Sequence, residues 1–234
     1  MVTRCATLLG LAVALCAPGS SLIHAQSTPP MTLASSSFSG QFGFDEANDV
    51  AVDAAGYVYV AGWTDASGPS GADGWVIKLT PDASQIVYSV AFVGSGFDIA
   101  HALAVDAAGN VYVVGETTSS DFPTVNPFQA QRDGDSDAWI AKLNSSGAVV
   151  YASYYGGSSF EGASAVAVGP AGSVYVGGTT GSGDLPRATG FQQVFGGGFA
   201  DGFVLKIDDA GNPLYATYLG GSNDDSLHAL AVDA

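Results

Sequence analysis

The sequence predicts an all-β chain built from tandem four-stranded antiparallel units, and three observations predict it. First, the chain repeats itself: VAVDAAGYVYVAGWT begins at Val50, LAVDAAGNVYVVGET at Leu103 and VAVGPAGSVYVGGTT at Val166, and a further copy opens with LAVDA at Leu230. Self-similarity at a fixed period of this length is the signature of a repeat architecture. Second, two more blocks recur in step: DGWVIKL, DAWIAKL and DGFVLKI open at Asp73, Asp137 and Asp201, at intervals of 64 residues, and IVYSVAFVG, VVYASYYGG and PLYATYLGG open at Ile86, Val149 and Pro213. Third, 19 of the 22 acidic residues are Asp and only Glu46, Glu116 and Glu161 are Glu. Asp favours turns and Glu favours helices, so the imbalance points to strands joined by tight connections.

In chain order, the first element is an address. Arg4 is the only charge before Asp45, the apolar stretch Ala6 to Ala17 is too short to span a bilayer, and Ile23-His24-Ala25 precedes Gln26. This predicts a signal peptide over residues 1–25, cleaved after Ala25; a lipoprotein signal through Cys16 is the rival, disfavoured by Leu15. Both cysteines, Cys5 and Cys16, fall inside that segment. The mature chain would then have neither disulfides nor thiolate metal ligands. A Ser/Thr/Pro-rich leader over 26–37 follows, and the repeats occupy 38–234.

Within a repeat, four strands are predicted, exemplified by about His101 to Val105, Val111 to Glu116, Ala138 to Leu143 and Val149 to Tyr154. Each is short, rich in Val, Tyr and Ile, and bounded by Gly, Asp, Asn or Ser. The connection between the first two reads Asp53-Ala-Ala-Gly56 and Asp106-Ala-Ala-Gly109. That between the last two reads Asn144-Ser-Ser-Gly147 and Asp208-Asp-Ala-Gly211. The leading Asx accepts from the amide two residues on, and the Gly supplies positive φ. The third strand is apolar on both faces, as in Trp139-Ile140-Ala141, so both faces are expected to be covered. A four-stranded unit covered on both sides and repeated in tandem is the blade of a β-propeller; a flat solenoid of shorter coils is the alternative.

The succession of YLGGS, a polar-acidic loop, AVDAAGNVYVVGET, SSDFPT, FQ, a DAW strand and VVYASYYGG resembles the bacterial SBBP family of β-propeller repeats, from about Ser39 onward. The match is fullest in the second repeat, with Asp121-Phe122-Pro123-Thr124 and Phe128-Gln129. It is partial in the third, with Asp184-Leu185-Pro186 and Phe191-Gln192. The first repeat is 11 residues shorter between its first two blocks and lacks this loop. The resemblance implies a secreted or cell-surface propeller of bacterial type and no particular reaction.

Three complete blades and the start of a fourth make an incomplete ring, because propellers close with four to eight blades. The expectation is therefore a fragment of a longer chain, with Leu33 to Phe38 placed to latch the circle and with open edges that promote self-association.

A net charge of −16, or −17 for 22 acids against the 5 bases left after the signal peptide, excludes nucleic acid as a partner, and no second apolar stretch reaches membrane length. Two columns of candidate site residues emerge when the repeats are aligned. Asp45, Asp98, Glu161 and Asp225 precede the first strand of each repeat; as a ring of carboxylates on one rim they would bind Ca²⁺ or a cationic ligand, or else each caps its own loop or pairs with a neighbouring blade. Asn48, His101, Ser164 and His228 lie inside that strand; the histidines would face a channel, or the position is a variable polar lining. Lys78, Lys142 and Lys206, with Asp73, Asp137 and Asp201 in the same strands, suggest an ion pair inside each blade. Asp133, Asp135 and Asp137 imitate a calcium loop, but Ala138 and Asn144 break the pattern. Trp75 and Trp139 are expected between blades, since Phe203 replaces them. No catalytic constellation and no metal ligand set is assigned.

The reading from sequence is a non-catalytic binding or structural module that presents loops, chiefly around Asp121 to Gly134 and Asp184 to Phe199, to a protein or carbohydrate. The alternatives are an extracellular enzyme, a lyase or hydrolase acting on a polymer in the central funnel, and a Ca²⁺-stabilised adhesin.

Overall fold

The computed structural model describes residues 45–65 and 71–233. The segments expected to be a signal peptide, a leader and the latch Leu33 to Phe38 lie outside the described residues. Twelve strands form three antiparallel sheets, each a meander in sequence order. The first contains β1 (Asp45–Val52), β2 (Val58–Thr64), β3 (Asp73–Leu79) and β4 (Ile86–Phe92). The second contains β5 (Asp98–Val105), β6 (Val111–Thr117), β7 (Asp137–Leu143) and β8 (Val149–Tyr155). The third contains β9 (Glu161–Val168), β10 (Val174–Thr180), β11 (Asp201–Ile207) and β12 (Pro213–Leu219). These are the blades of a β-propeller, and no closed ring forms among the described residues.

The turn chemistry is as the sequence requires. Asp53 Oδ1 accepts from the amides of Ala55 and Tyr57, both at 2.9 Å, and Asp106 Oδ1 accepts from Ala108 and Asn110 at the same distance. Gly56 and Gly109 close these hairpins at φ 87° and 77°. In the third blade, where proline replaces the acid-led turn, a short 3₁₀ segment, Pro170–Gly172, makes the connection.

Neighbouring blades pack face to face over two hydrophobic clusters, one at each junction. Trp139 is fully buried, its ring 4.8 Å from that of Phe92 in the preceding blade and 5.1 Å from that of Phe122. Its indole N–H donates to the carbonyls of Ile99 and Glu116. Trp75 is buried at the equivalent position, and Phe203 substitutes in the third blade, 5.5 Å from Tyr155. A backbone bond recurs at every junction: Asp98 N–H to Ala72 C=O, Glu161 to Ser136 and Asp225 to Ala200, at 2.6, 2.9 and 2.7 Å.

The fourth copy forms no strand. Residues 223–233 keep the junction bond from Asp225 and lay Leu227 and Leu230 over Gly177.

The long β6–β7 and β10–β11 connections run down the outer strand of their own blades instead of standing on a rim. Val125 bridges Ala152, and Ala188 bridges Ala216. The middle of each outer strand is thereby covered, the usual remedy for an open sheet edge, while its first turn-proximal residues stay open, with Val150 38% and Leu214 50% exposed. The shorter β2–β3 connection has no counterpart of this bridge among the described residues, and β4 leaves Ile86 57% and Val87 48% exposed.

Candidate functional site

The inner strand of each blade carries a bulge, and the bulge selects the site residues. Pairing shifts register between Ala47 and Asp49 in β1, and between Ala100 and Ala102 in β5; in β9 the shift leaves Ser164 unpaired. The extra residues are Asn48, His101 and Ser164, the column picked out by repeat alignment. A bulge lifts one residue out of the ladder and re-aims its side chain. The facing residue must be glycine: a Cβ at Gly62, Gly115 or Gly178 would lie within 1.8 to 2.0 Å of the carbonyl oxygen of Glu46, Ile99 or Gly162.

Two of these bulged side chains stitch neighbouring blades. Asn48 Nδ2 donates to Ala100 C=O at 2.8 Å, and Ser164 Oγ donates to Leu227 C=O at 2.5 Å. His101 instead joins His228, Glu116, Thr179 and the other two in lining a cavity of about 480 Å³ between the inner strands. Burial pushes the His101 imidazole below its ordinary pKa, and the Glu116 and Glu46 carboxylates pull it partly back. His228 Nε2 lies 3.0 Å from Ser226 Oγ. Glu116 has no acidic counterpart in the other blades, where Trp63 and Thr179 occupy its place. Among the described residues no group of three or more His, Cys, Asp or Glu is arranged to hold a metal ion.

The acid column does not form a ring of free carboxylates. Asp98 is fully buried and accepts from Thr117 Oγ1 and Ser119 Oγ at 2.5 and 2.8 Å. Glu161 is equally buried and accepts from Thr180 Oγ1 at 2.6 Å and from Gly157 N–H at 2.7 Å. Burial raises the pKa of both. Asp225, exposed, accepts from Gly221 N–H at 2.6 Å, and Asp45 is exposed at the start of β1. Loop capping is therefore what Asp98, Glu161 and Asp225 do.

The lysines correct a second expectation. Lys142 bonds Asp209 of the next blade, Nζ to Oδ1 at 2.5 Å, rather than Asp137 of its own strand. Four residues of extended chain separate Asp137 from Lys142, so the two stand toward opposite ends of β7. What recurs instead is a lysine over a tyrosine ring: Lys78 on Tyr57 and Tyr59, Lys142 on Tyr112, Lys206 on Tyr175, with ring-centre distances of 4.4 to 5.2 Å. Lys78, Lys142 and Lys206 are each cross-strand partners of a tyrosine, in the register Tyr59, Tyr112 and Tyr175.

The distinctive loop motif is likewise spent on architecture. Asp121 Oδ1 accepts from Ser95 N–H at 2.8 Å, and Asp184 Oδ1 from Ser158 N–H at 2.9 Å. Phe122 N–H and Leu185 N–H donate to the hydroxyls of Tyr154 and Tyr218, which donate onward to Ser119 C=O and Ser182 C=O. Gln129 bridges Asp137 Oδ2 and Gly156 N–H.

With this geometry in hand, comparison with known families is direct. The family model described as SBBP, beta-propeller repeat, matches residues 40–69 and 93–123. These two segments are SBBP-type β-propeller repeats. A search of curated proteins gives no match. The SBBP matches span the inner strand and its bulge in the first two blades, and the second reaches the Asp121-Phe122-Pro123 segment whose capping and packing are described above. The third blade reproduces the same hydrogen-bond pattern at Asp184 and Leu185.

The orphaned groups were invisible from sequence. Asp73, Asp137 and Asp201 each bury an Oδ1 with no hydrogen-bond partner. Beside Gly156, a Cβ would meet Asp137 Oδ1 and Glu161 Oε2 at 2.5 Å each, so two carboxylates from adjoining blades converge there. Burial and the Glu161 charge push the Asp137 carboxyl up to about 7.

Proposed function

We propose that the chain is a secreted or cell-surface propeller module that binds a protein or carbohydrate without transforming it. One observation carries the reading. Most polar groups that recur from blade to blade are engaged in capping, stitching or covering an edge, whereas the three most exposed of the large apolar side chains all lie in the β10–β11 connection. Phe191 is 94% exposed, and Val194 and Phe199 are each 73% exposed. Large apolar side chains held in solvent beside a rigid scaffold are a contact surface.

A second reading has its own support. Glu116 occurs in one blade only and shares the inner cavity with His101, a carboxylate and an imidazole that together suit acid–base work on a polymer. One experiment separates the two. The full chain is immobilised, exposed to a panel of soluble polysaccharides and envelope proteins, and the eluate is assayed for new reducing ends or unsaturated products. Retention without product is expected, with retention lost in Phe191→Ser/Val194→Ser. Product formation that disappears in Glu116→Gln would replace binding by catalysis.

A further inference from the structure

Apart from Arg4, the chain has two arginines, Arg132 and Arg187, and both line one cavity. It has a volume of about 740 Å³ and opens between the second and third blades, bordered by the β6–β7 connection and by the β10–β11 and β11–β12 connections. The three lysines lie in strands over tyrosine rings. The two remaining cations of a strongly acidic protein therefore converge on one concavity, although they come from different repeats. Arg132 is held in place, since its Nη1 donates to the carbonyls of Gly134 and Asp135. Its Nε is buried with no hydrogen-bond partner. Arg187 sits at φ 61°, a left-handed conformation that costs a non-glycine residue about 1 kcal/mol or more. Its carbonyl accepts from Ala216 N–H at 2.7 Å, which fixes the backbone from which the exposed side chain projects.

We propose that this cavity binds the carboxylate of an acidic saccharide, a uronate-type unit. Guanidinium groups pair with carboxylates in a planar, two-bond geometry, and the volume lies in the range of small-ligand pockets. Gln131, Asn212 and Asp133 on the wall supply donors and acceptors for sugar hydroxyls, and Phe128 and Pro186 supply apolar surface for ring faces. Asp133 also disfavours a compact dianion. An extended peptide would ordinarily dock by adding a strand to a sheet edge, but the β8 and β12 edges are already bridged by Val125 and Ala188.

This assignment rests on the binding-module reading and gives it a ligand class and a seat. The test is calorimetric titration of the full chain with a galacturonate trimer, a neutral galactose trimer and an acidic hexapeptide. The uronate trimer should bind, the neutral trimer at least tenfold more weakly, and Arg187→Gln should weaken uronate binding at least tenfold with an unchanged melting midpoint. Arg132→Gln should weaken it similarly, and Glu116→Gln should leave it unchanged. Failure of the uronate to bind, or binding indifferent to Arg187, overturns the proposal while leaving the retention assay above free to succeed. Equal binding of the acidic peptide with the same arginine dependence overturns the saccharide assignment, and loss of uronate binding in Glu116→Gln would move the seat to the inner cavity.

Discussion

Asp137→Asn should stabilise this protein above neutral pH and flatten the pH dependence of its stability. The Asp137 carboxyl is buried between two blades, with Oδ1 unpartnered and Glu161 beside it, and its pKa rises from an ordinary 3.8 to about 7. The unfolded chain has the ordinary value, so between these two pH values the folded state holds a proton that the unfolded state has released. Stability from this group is complete below pH 3.8, falls as the pH rises, and is lost above about 7. At 1.36 kcal/mol per unit, raising the pH from about 5 to about 8 costs at most about 2.5 kcal/mol, and partial solvation should reduce this to about 1–2 kcal/mol. Asparagine keeps an acceptor for Gln129 and Asp133 and places an N–H₂ toward Glu161, so it removes the penalty without emptying the site. Urea unfolding of both proteins at pH 5 and pH 8 measures the effect. Asp73, Asp98 and Glu161 are raised too and act in the same direction; Asp53, Asp106, Asp121 and Asp208 are lowered and oppose it by losing stability as the pH falls. The comparison between wild type and variant cancels that background except for Glu161, whose coupling to Asp137 is part of the effect measured. A variant equally or less stable than wild type at pH 8, with the same pH slope, would refute the buried-proton argument.

Three further outcomes follow from the same coordinates. Gly115→Ala would place a Cβ 1.8 Å from Ile99 C=O, so it should cost at least about 3 kcal/mol in urea unfolding, whereas Gly183→Ala, with open space around it, should cost under about 1 kcal/mol. Lys142→Met removes an inter-blade bond to Asp209 and a contact with Tyr112, and should cost about 1–2 kcal/mol in the same assay while leaving retention of any ligand intact. The full chain should sediment as associated species in analytical ultracentrifugation, and Val87→Lys on the uncovered β4 edge should shift it toward monomer.

The fold was legible because each blade states its own rules: paired turn glycines, a third strand apolar on both faces, and tryptophans replaced by Phe203 at an equivalent position. Strand ends came within three residues of those found, β5 starting at Asp98 rather than near His101. The bulges were not read, although a signal was present. Glycine inside an otherwise Val- and Tyr-rich β2, β6 or β10 marks close backbone approach, and here it marks the carbonyl of the bulged neighbour. The lysine pairing was misread because spacing along a strand says nothing about the strand facing it in the next blade. Asp98 and Glu161 are buried because each lies between two formed blades; among the described residues Asp45 has no blade before it and Asp225 no sheet of its own, and alignment of the repeats does not encode that difference.

Recurrence itself sorts structure from function in such a protein. A residue present in every blade is solving a problem that every blade has, and the structure shows what the problem is: a turn amide, an outer edge, a junction carbonyl, a buried ring. A side chain present once solves a problem of the whole molecule. Glu116 on the inner face, and Arg132 and Arg187 between blades, line cavities and have no charged counterpart of the same sign in the other blades, whereas His101 recurs only as His228 in the fourth copy. The bulge position shows the principle within one column: Asn48 and Ser164 tie two blades together, and His101 leaves that task to stand beside Glu116. The backbone bond at each junction already joins the blades, so the bulged side chain is free to vary without loss of the fold. Ligand recognition is therefore expected where the repeat departs from itself, and substitutions at Arg132 or Arg187 should change binding with smaller effects on stability than those at Gly115 or Trp139.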